Sequence, residues 1–523
     1  MRKFHRVVLG LGLAFSAAGC SDYLSAPDVT TDPTKVTLLK SAGPLYIGIQ
    51  EAGPPQREGG LGRFPALYIQ QVAGIARQQL GYDLYQAKPA DLDPYFTSVF
   101  GATNTLNGGG GLLDIHKVQQ LGRKSGDSLY IGIAKVYEAL YMGLAADQFG
   151  DIPYREAADS TKLTPHFDPQ LQVYGDLQAQ LDSAILFLTA AGPTNLGPSG
   201  AVQNPELIYQ NRAADPNLLR AIYTKVAHSL KARLYMHTAE ADPTAYAKAL
   251  AEVPLGIADP TGADDFLWFH DASPQGNNIW WQFNAARAGD LGPGAAIVEI
   301  EKRRVLAGIE PTDTLLGLYF TRTSSGTFAG SRPSAAVMTT NGTIYNGGGN
   351  PAGEFSGFSP LFDGATPPGD FRQPELTYAE TQLIGAEAAL ATGNAAQAQI
   401  YFDAARANRT YGSSAGSILT LPAAPSAPAT LQNIIEEKYV RLYLNPEVWN
   451  DYKRTCLPSL APAPVAAGGA TPRGTPISGR LPYGQQELNA NPNAPQVLST
   501  GQNANDPNPC AVLNYVSSSP LAN

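Results

Sequence analysis

Residues 375–410 read ELTYAETQLIGAEAALATGNAAQAQIYFDAARANRT, and this stretch decides the fold class. Its first arm, Glu375 to Ala391, and its second, Ala395 to Arg409, are both lined with Ala, so two helix backbones can approach closely. Gly393 suits the left-handed stop of the first arm. Asn394 is placed to cap the second, with Gln397 three residues on. Working outward, Ser128 to Phe149 repeats helical spacing through Ile133, Val136, Tyr137, Leu140 and Leu144. Leu171 to Leu188, Leu218 to Met236 and Thr430 to Asn450 do the same. Helix pairs joined by tight turns, with small residues at the contacts, suggest a superhelical hairpin stack. The 34-residue self-similarity of a tetratricopeptide array is not visible in the sequence. Strand-like alternation is sparse. The expected fold is therefore mostly α.

Long irregular stretches separate these helices, at 101–126, 190–217, 254–295, 320–372 and 455–523. Loops of this length are usually functional or disordered. These hold many Tyr, Trp, Asn and Gln, which favours ordered, functional loops. The composition agrees. The 523 residues include 53 Gly and 42 Pro, and only 15% are charged. With 36 Lys+Arg against 45 Asp+Glu the net charge is −9, and the scattered basic residues give no nucleic-acid footprint. A 43% apolar content excludes overall disorder. Tyr, at 25 residues, outnumbers 18 Phe and 4 Trp.

The N-terminus reads as a processing segment. Arg2, Lys3 and Arg6 precede an apolar run from Val7 to Ala18, which is too short to span a bilayer as a helix. The run ends in Ala17-Ala18-Gly19-Cys20, which resembles a bacterial lipobox with Ala in place of the usual Leu. The expected organisation is a signal peptide at 1–19 and a tether at 20–37 lipidated on Cys20. A single domain at 38–523 follows, loop-rich from 454. Multiple acyl chains give stable anchoring, at about 0.8 kcal/mol per buried CH₂. Cys456 and Cys510 remain. In an exported chain they are candidates for a disulfide, with two buried thiols as the alternative. A bridge would close a loop of about 55 residues, worth roughly 4 kcal/mol in the chain-entropy model.

Four ordered blocks carry a family resemblance. Asp147-Gln148-Phe149-Gly150-Asp151-Ile152-Pro153-Tyr154-Arg155-Glu156-Ala157 resembles the YGDIPYxEA segment of SusD/RagB-type nutrient-binding outer-membrane lipoproteins. Leu376-Thr377-Tyr378-Ala379-Glu380 with Ala386-Glu387-Ala388 is similar to their TYAE…AEA helix. Glu436-Glu437-Lys438-Tyr439 through Trp449-Asn450-Asp451-Tyr452-Lys453-Arg454 resembles the penultimate helix. Arg480-Leu481-Pro482-Tyr483 with Glu487 and Asn491 is similar to the closing RLPYPxxExxxN motif. The resemblance implies a SusD-like α-helical fold with tetratricopeptide-like hairpins and a loop-built binding face. It further implies a non-catalytic, lipid-anchored outer-membrane protein, exposed at the cell surface. Such a protein passes oligosaccharides to a SusC-like TonB-dependent transporter. The alternatives are a peptide-binding lid of the RagB kind and, further off, a surface glycoside hydrolase. The blocks themselves read as scaffold. Gly150 ends a helix, Asp151 and Pro153 shape a turn, and Tyr154 packs back, while Glu437 and Arg441 look like an ordinary helix-face pair.

Ligand chemistry is sought in the loops. Trp268, Trp280 and Trp281 lie close together with Phe269 and Phe283, interleaved with Asn277, Asn278, Gln282, Asn284 and Arg287. Sugars present apolar C–H faces and polar edges, so a site needs a flat aromatic platform beside amide or Arg groups. Core packing of the tryptophans is the competing reading. The Gly/Asn loop 341–350 around Tyr345 and the segment Tyr82-Asp83-Leu84-Tyr85 are weaker candidates. Asp259, Asp264 and Asp265 could offer oxygens to Ca²⁺, although EF-hand spacing is absent. No other cofactor or metal is expected. Gly412-Ser413-Ser414-Ala415-Gly416 matches G-x-S-x-G by letters but follows an expected helix rather than a strand. His228 and His237 lack an H-E-x-x-H frame and read as structural.

Overall fold

The computed structural model describes residues 43–101, 109–159, 161–190, 192, 206–331, 355–460 and 477–495. The described elements begin with α1 (Gly43–Pro54), a π-helical turn (Pro55–Gly60), α2 (Leu61–Tyr68), β1 (Val72–Gly74), α3 (Arg77–Asp83) and α4 (Pro89–Ser98). Next come α5 (Leu112–Ser125), α6 (Ser128–Phe149), α7 (Gln170–Thr189), α8 (Pro216–His237) and α9 (Ala245–Glu252). The middle of the chain holds β2 (Phe266–Leu267), α10 (Ile279–Ala286), β3 (Leu291–Pro293), α11 (Ala295–Leu306), α12 (Thr314–Tyr319) and β4 (Pro374–Leu376). The last part holds α13 (Tyr378–Ala391), α14 (Ala395–Ala407), β5 (Thr410–Ser414), β6 (Ser417–Thr420), α15 (Leu431–Arg441), α16 (Glu447–Thr455) and α17 (Gln485–Ala490). The strands pair antiparallel in three two-stranded sheets, β1–β3, β2–β4 and β5–β6. The protein is mostly α, as its periodicity predicts.

α6 is the central helix. Asp127 caps it by accepting from the backbone N–H of Leu129 at 3.1 Å and Tyr130 at 3.2 Å. Gly150, at φ +79°, ends it. All residues from Leu129 to Phe149 are buried, so this helix, apolar enough to cross a membrane by composition, is a core helix here. α7 lies on one side with a one-faced stripe of Val173, Tyr174, Leu177, Leu181, Ala184 and Leu188. The two helices come close at Gly132, where an added Cβ would stand 2.6 Å from Leu188. The α13–α14 hairpin forms as its sequence predicts. Gly393 takes φ +82°, and the Asn394 side chain accepts from Gln397 N at 3.1 Å.

Some helix boundaries differ from expectation. Residues 101–126 were expected to be irregular, yet α5 runs from Leu112 to Ser125. The stretch Thr430–Asn450 is expected as one helix but breaks into α15 and α16. Leu444 takes φ +65° at the break, and Pro446 cannot continue the first helix.

The motif blocks are charge-bearing joints between these helices. Arg233 of α8 binds Glu380 at 2.7 Å and Glu375 at 2.9 Å, all three essentially buried. Lys438 of α15 binds Asp451 at 2.9 Å and Glu387 at 3.2 Å, tying α13, α15 and α16 together. Glu437 does pair with Arg441 one turn on, at 3.9 Å, but this pair is buried and is not its closest. It is 0% exposed and is held by Arg304 and by Arg406, the latter at 2.5 Å. Such buried groups cost desolvation and add little net stability when satisfied, but removing one partner strands the other. The first and last blocks meet across the chain. Leu481 N donates to Gln148 O at 2.6 Å, Arg480 donates to Phe149 O at 3.0 Å, and the Tyr483 hydroxyl donates to Asp151 O at 2.8 Å. Tyr154 does pack back, its hydroxyl donating to Glu138 at 2.6 Å.

Candidate functional site

The aromatic segment folds around a turn and a short helix. Asp271 starts the turn: its carboxylate accepts from Ser273 N at 2.8 Å, and its own N–H donates to Gly276 O at 2.9 Å. Gly276 fits because a Cβ there would lie 2.0 Å from the Asp271 carboxylate. Asn278 then caps α10, accepting from Trp280 N at 3.0 Å and Trp281 N at 3.2 Å. Trp280 and Trp281 therefore sit on a helix rather than in a loop, about 100° apart around its axis.

The cap is fixed from below by Glu58, which is 1% exposed. Its carboxylate accepts from Asn278 Nδ2 at 3.1 Å and from Ile279 N at 3.3 Å, and faces His270 Nε2 at 2.9 Å. From above, Gly369 O accepts from Asn278 N at 2.7 Å. Gly369 takes φ +71°, and an added Cβ would press on the Trp281 ring at 3.0 Å. Neither Glu58 nor Gly369 carries a signal in the sequence that marks it as part of this site.

The candidate residues divide by burial. Trp268 is 1% exposed and donates its indole N–H to Glu375 at 2.9 Å. Trp280 is 0% exposed. Asn278 is committed to the cap, and Asn284 donates to Phe362 O at 2.6 Å. Asn277 donates to Asp271 O at 3.0 Å and Pro368 O at 2.9 Å. These side chains build the platform, and of them only Asn277 reaches the wall of the cavity beside it. Trp281 is half-buried and donates to Thr366 O at 3.0 Å. Gln282 donates to Asn277 O at 2.6 Å, and Arg287 is exposed, 3.8 Å from Asp290. Phe269, also half-buried, carries Arg372 over its ring at 4.6 Å. Tyr345 and Cys510 lie outside the described residues, as does Cys20. Cys456 is disulfide-bonded. Tyr82 packs on Phe64 with ring centroids 4.7 Å apart, and Asp83 is buried beneath it.

A cavity of about 270 Å³ opens beside this platform. The end of α1 supplies Gln50, Glu51 and Pro54, and the turn supplies Phe269, Asp271 and Asn277. A second cavity, of about 440 Å³, lies between α6 and α7, with His116, Lys135, Glu138, Tyr154 and Arg155 on its walls. Its cations are already hydrogen-bonded: Arg155 binds Asp176 at 2.7 Å, and Lys135 donates to the Gln180 amide oxygen at 2.5 Å. Burial pushes the Glu138 carboxyl up, but its bonds to His116, Tyr154 and Gln119 hold it below the ordinary value.

The three aspartates considered for Ca²⁺ have other work. Asp264 is held by Arg212 at 2.6 Å and Lys225 at 2.7 Å. Asp265 accepts from Tyr378 N at 2.7 Å, and burial raises its carboxyl to about 7. Asp259 accepts from Thr261 N at 2.8 Å within its own turn. Among the described residues, the group whose atoms could converge on a metal is Asp147, His237 and Glu447. There, Nδ1 of His237 faces Asp147 at 2.9 Å and Nε2 faces Glu447 at 2.8 Å. Burial alone would lower the imidazole pKa, yet the two carboxylates raise it to about 9. The arrangement is that of a buried imidazolium between two carboxylates. Gly412 to Ser414 end β5 and Ala415-Gly416 turn the chain into β6, with Ser414 donating to Asp370 at 2.6 Å. No strand-to-helix elbow surrounds it.

A family model described as "Starch-binding associating with outer membrane" matches residues 97–484. The chain belongs to the SusD-like family. Its solved SusD-like relatives are distant in sequence and show the shared fold. A chitin-binding SusD homolog from Flavobacterium johnsoniae has 18% identity and a TM-score of 0.61, covering 86% of this chain and 92% of its own. A second structure, described as a chitin-binding protein, has 18% identity and a TM-score of 0.62, covering 85% and 94%. A SusD homolog from Bacteroides uniformis has 19% identity and a TM-score of 0.59, covering 91% and 96%. No curated protein matches the chain in sequence.

Proposed function

We propose that this SusD-like protein is a non-catalytic glycan-capturing lipoprotein of the outer membrane, anchored through Cys20. In this reading it passes oligosaccharides to a TonB-dependent transporter. The carrying observation is the cavity beside Phe269, walled by an aromatic ring, amides and carboxylates on a rigid helical body. A sugar ring can lay its C–H face on Phe269 while its hydroxyls meet the polar rim, and Trp281 offers a second half-buried ring on α10, outside the cavity lining. Two structural relatives described as chitin-binding support an oligosaccharide as the ligand class.

The test is retention in affinity gels that contain a panel of plant, fungal and bacterial glycans. Wild-type protein should be retarded by at least one, and the Phe269→Ala/Trp281→Ala double variant should lose that retardation while keeping its thermal stability. Equal retention of the double variant would reject this surface. Failure of the wild type on every glycan, with binding to peptides instead, would favour the peptide reading.

A further inference from the structure

Along α10, Ile279, Phe283 and Arg287 share one face at intervals of four residues, about 6 Å per step. The hydrogen bond from Arg287 N to Phe283 O, at 2.8 Å, carries the helical spacing to Arg287. Ile279 lines the cavity beside Phe269. One step on, the Arg63 guanidinium of α2 stacks over the Phe283 ring, 4.3 Å from its centroid. Phe283, Tyr82 and Tyr95 around it are half-buried. The polar neighbours of Arg63 are the Tyr95 and Tyr82 hydroxyls and the Arg287 guanidinium, and no described carboxylate pairs with it. Burial lowers its pKa, and Arg287 acts in the same direction. Arg287 in turn shares its carboxylate. Asp290, 2% exposed, is bound by Arg77 of α3 and stands 3.8 Å from Arg287. Three arginines thus gather around one carboxylate. Asp91, which reaches Tyr82, is spent on that hydroxyl and on Lys88 N at 2.9 Å. The Phe269 end differs, because Arg372 there is flanked by Asp370 and Asp271.

We propose that Arg63 and Arg287 form an anion subsite beside Phe283, so that the captured glycan is an acidic oligosaccharide whose carboxylate or sulfate lies there. The inference rests on the glycan reading above and narrows it. One step along the α10 face is close to the length of one pyranose unit. A chain that leaves the Phe269 cavity past Ile279 therefore brings its next units to Phe283 and the two guanidiniums. A guanidinium stacked on a ring keeps its edge N–H groups free, and that fork matches two oxygens of a carboxylate or sulfate. The anion supplies the counter-charge that Arg63 lacks within the protein, and it does so in surroundings drier than bulk water, where the attraction is stronger. A neutral sugar hydroxyl at the same place leaves the excess positive charge unanswered.

The experiment uses two matched pairs: oligogalacturonate with its methyl ester, and a sulfated galactan oligomer with its desulfated form. Binding is measured by calorimetry at about pH 7, where uronates and sulfates are ionised. The acidic member of at least one pair should bind at least about fivefold more tightly than its neutral form, the effect of one charge pair at contact distance in water. The pair that shows the preference tells carboxylate from sulfate. Arg63→Gln and Arg287→Gln should each weaken the acidic form by about fivefold and leave the neutral form unchanged. Arg287 is exposed, so its variant reports even if Arg63→Gln fails to fold. Lys248→Gln, on α9 with a side chain 48% exposed, changes net charge equally and should change no affinity. Equal binding within both pairs overturns the proposal, as does an equal loss in Lys248→Gln. If no member of either pair binds while another glycan in the panel does, the acidic preference fails and glycan capture stands. Failure across the whole panel overturns both.

Discussion

Replacing His237 by Gln isolates one buried charge. His237 is 3% exposed and lies between Asp147 and Glu447. Its pKa is raised from 6.5 to about 9 by those carboxylates. A raised folded-state pKa means that the folded state binds the proton more tightly than the unfolded chain. The stabilisation is therefore fully present below about pH 6.5 and is lost as pH rises through about 9. A shift of roughly 2.5 units corresponds to about 3 kcal/mol. For a helical body of this size the unfolding entropy is on the order of 1 kcal/mol/K, so Tm should move by about 3 °C. The assay is thermal unfolding of wild type and His237→Gln from about pH 6 to pH 10. The variant should melt lower at the acid end of that range, and the gap should close as pH rises through about 9. A gap of constant size, or none, would refute the imidazolium assignment. Below about pH 4 a second loss should appear, because both carboxylates have pKa values lowered chiefly by His237 against the opposing push of burial.

Glu437→Gln should destabilise by about 3–5 kcal/mol in denaturant unfolding, because Arg304 and Arg406 lose a buried counter-charge. Gly369→Ala should cost about 1–2 kcal/mol and shift the tryptophan emission, since φ +71° and the Trp281 ring both oppose a Cβ. Cys456 should prove paired with Cys510: intact mass after alkylation should show no free thiol in a chain beginning after Cys20, and a labelled thiol at either position would exclude the pair. Cys20→Ser should release the protein from membranes into the soluble fraction, and persistent membrane association would contradict lipidation.

The helices were legible because their signals are local. Gly393 and Asn394 mark the α13–α14 turn by conformational preference alone, and the structure uses both as the sequence implies. The motif blocks were legible as a family pattern, but their physics was not. Nothing in the spacing of Glu380, Glu387 and Glu437 shows that four arginines and a lysine from other segments reach them in the core. The α15–α16 break was hidden because apolar periodicity continues across Leu442 while Leu444 and Pro446 interrupt the backbone. The site was half legible. The aromatic segment was the right neighbourhood, yet burial depends on which face of a short helix meets the body. Trp280 turns inward, Trp281 stays at the surface, and Phe269 reaches the cavity. Glu58, more than two hundred residues away in sequence from the cap it fixes, could be found only in three dimensions.

The most direct test of the central claim is a crystal structure of the protein soaked with an oligosaccharide that it retains. A sugar ring should lie against Phe269, in the cavity between the end of α1 and the Asp271 turn. A glycan seated instead against Glu138 and Tyr154, or anywhere away from the α10 platform, would contradict it.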